Sequence, residues 1–195
     1  MKVVIINYGS GNIKSIEFAF NRLGVKPYLS NNIDEILAAD RVIFPGVGEA
    51  SSAKHALVKS GLDSLIPGLK QPVLGICLGM QLLCNYTEEG DTMGLGVFNT
   101  SVKRFSNKVK VPQMGWNTVE NLNSELFESI NEGSFFYGVH SYYAEDSGVT
   151  IANSNYDKTY ASALNFKNFY GVQFHPEKSG QQGSQLLNNF LNIEK

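Results

Sequence analysis

Short apolar runs alternate with segments whose apolar positions recur at helical spacing through the first eighty or so residues. Val3-Val4-Ile5-Ile6 reads as a strand, and Ile13, Ile16, Phe18, Phe20 and Leu23 after it as a helix closed by Gly24 as a left-handed cap. Residues 25–29 offer a second strand and residues 33–39 a short helix. Arg41-Val42-Ile43-Phe44 is a third strand, followed by a helix that contains residues 50–58. Pro72 cannot donate to a sheet ladder and suits the start of a fourth strand over Val73 to Ile76, which turns abruptly into an apolar helix running through Cys84. Apolar strands alternating with helices predict a parallel sheet covered on both faces, with right-handed crossovers.

The pattern changes from Gly94 onward. Residues 96–105, 115–119, 134–140, 149–154, 161–166 and 169–174 are candidate strands separated by turn residues instead of helices. Residues 183–193 close the chain as a helix with an apolar face of Leu186, Leu187, Phe190 and Leu191. The expected fold is α/β: a doubly wound, mostly parallel sheet with helices on both faces, extended by antiparallel strands in the second half. No repeat or linker divides the chain, so residues 1–195 are read as one domain.

Composition narrows the classes. With 43% hydrophobic and 17% charged residues the chain is an ordinary globular protein, and a net charge of −2 gives no electrostatic ground for nucleic acid or an anionic membrane as partner. No run reaches the length of a membrane span, and Met1-Lys2-Val3 leads into a core strand instead of a signal peptide. Cys77 and Cys84 would lie about 10 Å apart on one helix at a rise of ~1.5 Å per residue, too far for a disulfide. Two unbridged cysteines fit a reducing compartment, and the cytoplasm is expected.

The candidate chemistry gathers on Gly75-Ile76-Cys77-Leu78-Gly79. Taken alone, Cys77 is either a small buried hydrophobe or a nucleophile on a sharp strand-to-helix elbow; glycines two residues away on both sides favour the elbow. Helix N-terminal N–H groups aimed at the sulfur would favour thiolate. Pro45-Gly46-Val47-Gly48 sits at the carboxyl end of the preceding strand, where parallel sheets bind ligands, and is the natural second half of an oxyanion hole. Tyr8-Gly9-Ser10-Gly11-Asn12 resembles the opening of a dinucleotide fingerprint, but Lys14 stands where its third glycine belongs. No cofactor and no metal are expected.

Three histidines could serve as base. His55 lies in a polar helical stretch and His140 ends a candidate strand; His175 follows the aromatic strand Tyr170-Gly171-Val172-Gln173-Phe174 and opens His175-Pro176-Glu177. Proline keeps the preceding residue extended, and residues two apart in an extended chain point the same way, so Glu177 is placed to orient the imidazole. Cys77, His175 and Glu177 then supply nucleophile, base and orienter. Gln81 lies one helical turn after Cys77 on the same face.

Pro45-Gly46-Val47-Gly48, Gly75-Ile76-Cys77-Leu78-Gly79-Met80-Gln81 and His175-Pro176-Glu177-Lys178-Ser179 together resemble the class I, triad-type glutamine amidotransferases. Met114-Gly115-Trp116-Asn117 and Val139-His140-Ser141-Tyr142 are similar to the branch that supplies ammonia for histidine biosynthesis, with Gln113 standing where many relatives carry histidine. The resemblance implies that Cys77 attacks the carboxamide of glutamine, with Leu78 and Val47 or Gly48 as oxyanion donors. It implies substrate contacts at Gly46, Gln81, Glu89, Ser141 and Tyr142. It further implies a heterodimer in which a (β/α)8-barrel cyclase subunit uses the ammonia to form imidazole glycerol phosphate and an aminoimidazole carboxamide ribotide. Asn12 with the turn before it, Trp116, Asn117, Tyr137 and Lys178 are the candidate interface. Three alternatives remain: a paralogous glutaminase serving surface-sugar amidination, a binding-only subunit, and a stand-alone cysteine hydrolase such as a peptidase.

Overall fold

The computed structural model describes residues 1–194. β1 (Val3–Ile6), β2 (Tyr28–Ser30), β3 (Arg41–Phe44) and β4 (Val73–Ile76) alternate with α1 (Ile13–Arg22), α2 (Ile33–Leu37), α3 (Ala50–Ser60) and α4 (Leu62–Leu65). α5 (Leu78–Leu83) leads into β5 (Cys84–Thr87), β6 (Thr92–Met93), β7 (Phe98–Arg104), β8 (Gln113–Val119), β9 (Ser134–His140) and β10 (Tyr142–Ala144). β11 (Thr150–Asn155), β12 (Thr159–Phe166), β13 (Phe169–Val172) and α6 (Gly180–Asn192) complete the chain.

Eleven strands form one sheet in the order β2-β1-β3-β4-β13-β12-β10-β7-β5-β6, with β11 beside β12. The doubly wound reading holds: consecutive residues of β1 feed opposite layers, Val3 and Ile5 packing with α1 and α6, Val4 and Ile6 with α2 and α3. In α1 the buried residues are Ile16, Ala19 and Phe20, whereas Phe18, two positions from Ile16 and so on the opposite side of a 3.6-residue turn, is exposed. Buried Arg41 reaches the carbonyls of Phe190 and Ile193 and ties β3 to the end of α6, where a cation suits the helix dipole.

Several expectations need correction. Cys84 is not on the helix of Cys77: α5 stops at Leu83, and the carbonyls of Leu82, Leu83 and Cys84 are taken by the N–H groups of Leu95, Val97 and Gly96. Those partners arrive from the following loop, which local periodicity cannot reveal. β5, β6 and β10 were not expected as strands, and β2 begins at Tyr28. β8 and β9 do not extend the main sheet but pair with each other as a separate ribbon, with Val119 and Phe136 in the core and Met114, Trp116 and Phe135 facing outward. β13 joins the parallel half of the sheet. It returns from β12 through a tight turn at Lys167, which takes a left-handed φ of 54°, and runs antiparallel to β12 and parallel to β4.

Gly79 carries a steric demand. A Cβ there would sit inside the carbonyl oxygen of Phe44, because α5 begins against the end of β3. Gly79→Ala is expected to lower stability by at least the ~1–3 kcal/mol of an overpacked core, since backbone instead of a flexible side chain would have to move. Thermal melting of the variant checks this; an unchanged midpoint would show that the two elements separate without cost.

Candidate active site

Cys77 ends β4 and caps α5 with φ 53° and ψ −112°, a left-handed backbone that a non-glycine residue adopts only when its surroundings hold it. They do: its N–H donates to the Val172 carbonyl at 2.8 Å, and its own carbonyl accepts from Gln81 at 3.1 Å. The strained turn lifts the sulfur out of the sheet into a cavity of about 260 Å³. Val47, Gly48, Leu78, Gln81, Glu89, Pro112, Val139, His140, Ser141, Tyr142 and His175 complete the wall.

β13 delivers the histidine. Its register pairs Val172 with Ile76, so the chain beyond β13 passes beside the elbow and brings His175 into the same cavity. Residues Pro176–Lys178 form a 3-10 turn instead of the expected extended segment, because proline suits the first position of a helical turn. The turn still brings Glu177 Oε1 to 2.9 Å from His175 Nδ1, in a pair that is nearly fully buried. Among the described residues, the buried His175 Nε2 has no hydrogen-bond partner. Burial, the largest single influence, disfavours the imidazolium, but Cys77 and Glu177 outweigh it and raise the histidine pKa well above its ordinary value. Ser179 Oγ donates to the His175 carbonyl at 2.7 Å and accepts the Tyr137 N–H at 3.0 Å, while the His175 N–H donates to the Tyr137 carbonyl at 2.8 Å.

The other histidines differ. His55 is exposed on α3. His140 is buried with Nδ1 2.7 Å from the Tyr142 carbonyl, and burial pushes its pKa down to about 4, so it stays neutral at physiological pH.

Gly46 lies against the start of α5, where a Cβ would be 2.6 Å from the Gly79 nitrogen. Leu78 opens α5, so its N–H has no partner within the helix. The Val47 N–H, by contrast, donates to Ser10 Oγ at 3.1 Å, and Ser10 Oγ donates back to the Val47 carbonyl. Tyr8 Oη holds the Pro45 carbonyl at 2.7 Å. The Val47 N–H is therefore engaged by Ser10 and not free to meet an oxyanion in this conformation.

Gln81 Nε2 donates to the Tyr142 carbonyl at 3.0 Å and to Gln173 Oε1 at 2.8 Å, while Glu89 Oε2 accepts the Ala50 N–H at 3.0 Å. Burial raises the Glu89 pKa, the hydrogen bond from Ala50 opposing it. The candidate interface residues divide. Trp116 and Tyr137 make an edge contact at 6.1 Å, and Lys178 Nζ lies 5.8 Å from the Tyr137 ring centre, forming one patch with Trp116 57% exposed. Asn117 binds the Asn155 carbonyl, and Asn12 is the N-cap of α1, in the turn that clasps the Val47 loop.

Gln173 was missed as a site residue, and Ser10 was expected only as part of a candidate interface turn. Gln173 could have been found, since it stands two positions before His175 and shares its side of an extended chain. Nothing local marks Ser10 as a partner of Val47. Among the described residues no helix is long and apolar enough to cross a membrane, and no three metal-binding side chains cluster.

A family model, Glutamine amidotransferase class-I, matches residues 4–193. Imidazole glycerol phosphate synthase subunit HisH of Bacteroides fragilis (strain YCH46) is 49% identical over 99% of this chain and 100% of the relative. The protein of that name from Pectobacterium atrosepticum is 45% identical over the same shares, and that from Haemophilus influenzae (strain Rd) 42% identical over 98% and 97%. Among solved structures, a glutamine amidotransferase superposes with a TM-score of 0.75 at 18% identity, covering 97% of both chains. Another, from Thermotoga maritima, gives 0.65 at 19% identity over 98% and 83%. The structural likenesses speak for the fold alone. With a family model across nearly its whole length and relatives near half identity, this chain belongs to the class I glutamine amidotransferases, in their HisH branch.

Proposed function

We propose that Cys77, His175 and Glu177 carry the glutaminase reaction of this chain. The chain is the glutaminase subunit of imidazole glycerol phosphate synthase in histidine biosynthesis. The observation that carries the assignment of roles is the buried His175–Glu177 pair, whose free Nε2 shares a cavity with the elbow sulfur. The Cys77 thiolate adds to the carboxamide carbon of glutamine, and the oxyanion is held by Leu78 and a reoriented Val47 or Gly48. The imidazolium of His175 gives its proton to the departing nitrogen, and ammonia leaves. Water then adds to the thioester as His175 takes its proton, and glutamate departs from regenerated Cys77. Gln81, Glu89 and the backbone at Ser141 and Tyr142 hold the amino and carboxylate groups of the substrate.

The ammonia passes to a (β/α)8-barrel cyclase subunit docked over Trp116, Tyr137 and Lys178. The hydrogen bonds that the Tyr137 carbonyl accepts from the His175 N–H and that the Tyr137 N–H donates to Ser179 support coupling between that surface and the triad. The two free cysteines support a reducing, cytoplasmic setting. Glutamate formation by the chain alone, with the barrel subunit, and with barrel plus its nucleotide tests the scheme; equal rates in all three would remove the coupling.

The hold of Ser10 on Val47 defines the resting state. Ser10→Ala removes two hydrogen bonds of about 0.5–1.5 kcal/mol each from the non-donating loop, so basal hydrolysis by the isolated chain is expected to rise by roughly 5- to 150-fold. A basal rate at or below that of the parent would show that Ser10 does not restrain the loop.

A further inference from the structure

A buried row of amides joins the substrate side of the cavity to the nucleophile. The carbonyl oxygen of Tyr142 can only accept, so the Gln81 atom 3.0 Å away is Nε2. That nitrogen also lies 2.8 Å from the Gln173 side chain, which makes the atom there Oε1. Gln173 Nε2 is then the group 3.7 Å from Cys77 Sγ, with a proton to donate. One backbone carbonyl thus sets the orientation of both amides.

The sulfur has a competing partner. As a thiol it can donate to the Val139 carbonyl at 3.9 Å, but a thiolate has nothing to give that oxygen and is repelled by it. Gln173 supplies the donor the anion requires. It is 1% exposed, and its backbone N–H is bound to the Ser162 carbonyl at 2.8 Å, so the amide cannot turn out to solvent. Gln81 Oε1 makes no hydrogen bond among the described residues, and Gln81 lines the cavity, where that oxygen can accept the ammonium of glutamine.

We propose that Gln173 is a positioning residue of the glutaminase reaction, holding Cys77 Sγ as thiolate by N–H donation and linking it through Gln81 to the occupied substrate site. The proposal rests on Cys77 being the nucleophile. A substrate ammonium on Gln81 Oε1 strengthens the donor at the other end of that amide, and the polarisation passes through Gln173 to the sulfur. The row therefore favours the thiolate most when glutamine is bound.

Gln173→Glu and Gln173→Leu separate the two ends of the link. Glutamate keeps an acceptor for Gln81 and replaces the donor to sulfur by oxygen; leucine removes both. Turnover is measured in the complex with the barrel subunit and its nucleotide. The pH profile of Cys77 alkylation by iodoacetamide, mapped by peptide mass, is measured on the full chain.

For Gln173→Glu, kcat is expected to fall about 10- to 100-fold, the size of one hydrogen bond to a charged acceptor, with KM for glutamine near that of the parent. The alkylation midpoint should rise by about one pH unit. Gln173→Leu should show the same midpoint shift together with a raised KM. For Gln173→Leu, which adds no charge beside the sulfur, a merely structural residue would lower activity and melting temperature together and leave the midpoint where it was. An unchanged midpoint in folded Gln173→Glu overturns the proposal, and this variant decides alone if the leucine variant does not fold. Parent enzyme that keeps its turnover after complete Cys77 alkylation would instead refute the nucleophile assignment, a separate failure.

Discussion

Cys77→Ala is expected to abolish glutamine hydrolysis, by about 10⁴-fold or more, while the complex proposed above, supplied with ammonia, still forms its product. The effect should be this large because, among the described residues, no second thiol lines the cavity. Cys84, the second cysteine, begins β5 with its sulfur fully buried against the Met80 carbonyl, and burial pushes its thiol far above the ordinary range. The elbow backbone is held by hydrogen bonds from Cys77 N and to Cys77 O, neither of which involves the side chain, so alanine should leave the fold intact. Glutamate release measured alongside ammonia-driven product formation separates the two activities. Sustained glutaminase turnover in the variant would overturn the assignment of the nucleophile, and loss of both activities would point to a folding or docking defect. A glutamine-like electrophile should correspondingly label Cys77 and spare Cys84.

The second large effect concerns the pair behind the sulfur. His175→Ala removes both the proton carrier and the cation beside the thiolate, and should approach the loss caused by Cys77→Ala. Glu177→Gln keeps the size of the side chain but replaces a carboxylate by a group that no longer favours the imidazolium, and a loss of about 10²- to 10⁴-fold is expected. The order matters more than either value, because Glu177 takes no proton. The pH dependence gives a second reading. Glu177 is among the groups that hold the His175 pKa up, so its replacement should bring the upper limb of the kcat/KM profile to lower pH. A Glu177→Gln variant with the parent's rate and profile would take this residue out of the triad.

Much of the site was legible because it sits where the chain changes from one kind of local structure to another. Gly75, Cys77 and Gly79 mark a strand-to-helix turn by residue type alone, and His175-Pro176-Glu177 marks a histidine with a carboxylate beside it, although a 3-10 turn joins them instead of the expected extended segment. The parallel half of the sheet was legible for the same reason: apolar tetrads such as Val3 to Ile6 leave few alternatives to a strand covered on both faces. What escaped was set by distant partners. Whether residues 113–140 extend the sheet or stand apart as the ribbon of β8 and β9 depends on the order in which strands meet, and no periodicity within them carries that information. The break after Leu83 depends on N–H groups arriving from residues 95–97. The hold of Ser10 on Val47 spans 37 residues, and its only local sign is a glycine-rich turn that resembled a different motif.

The place of β13 between β4 and β12 has a consequence for the order of events during synthesis. Gln173 and Cys77 are separated by 96 residues, and the N–H of Cys77 is bound to the carbonyl of the last residue of β13. A chain leaving the ribosome therefore releases its nucleophile early, on a strand flanked by β3 on one side and an empty slot on the other. Domains fold largely as units and N-terminal parts appear first, so that slot stays open until residues 169–172 emerge. The base arrives with the same segment that fills the slot. A chain that ends before residue 175 lacks the proposed base, and the pairing of β13 with β4 that closes the sheet is also the one that brings His175 beside Cys77.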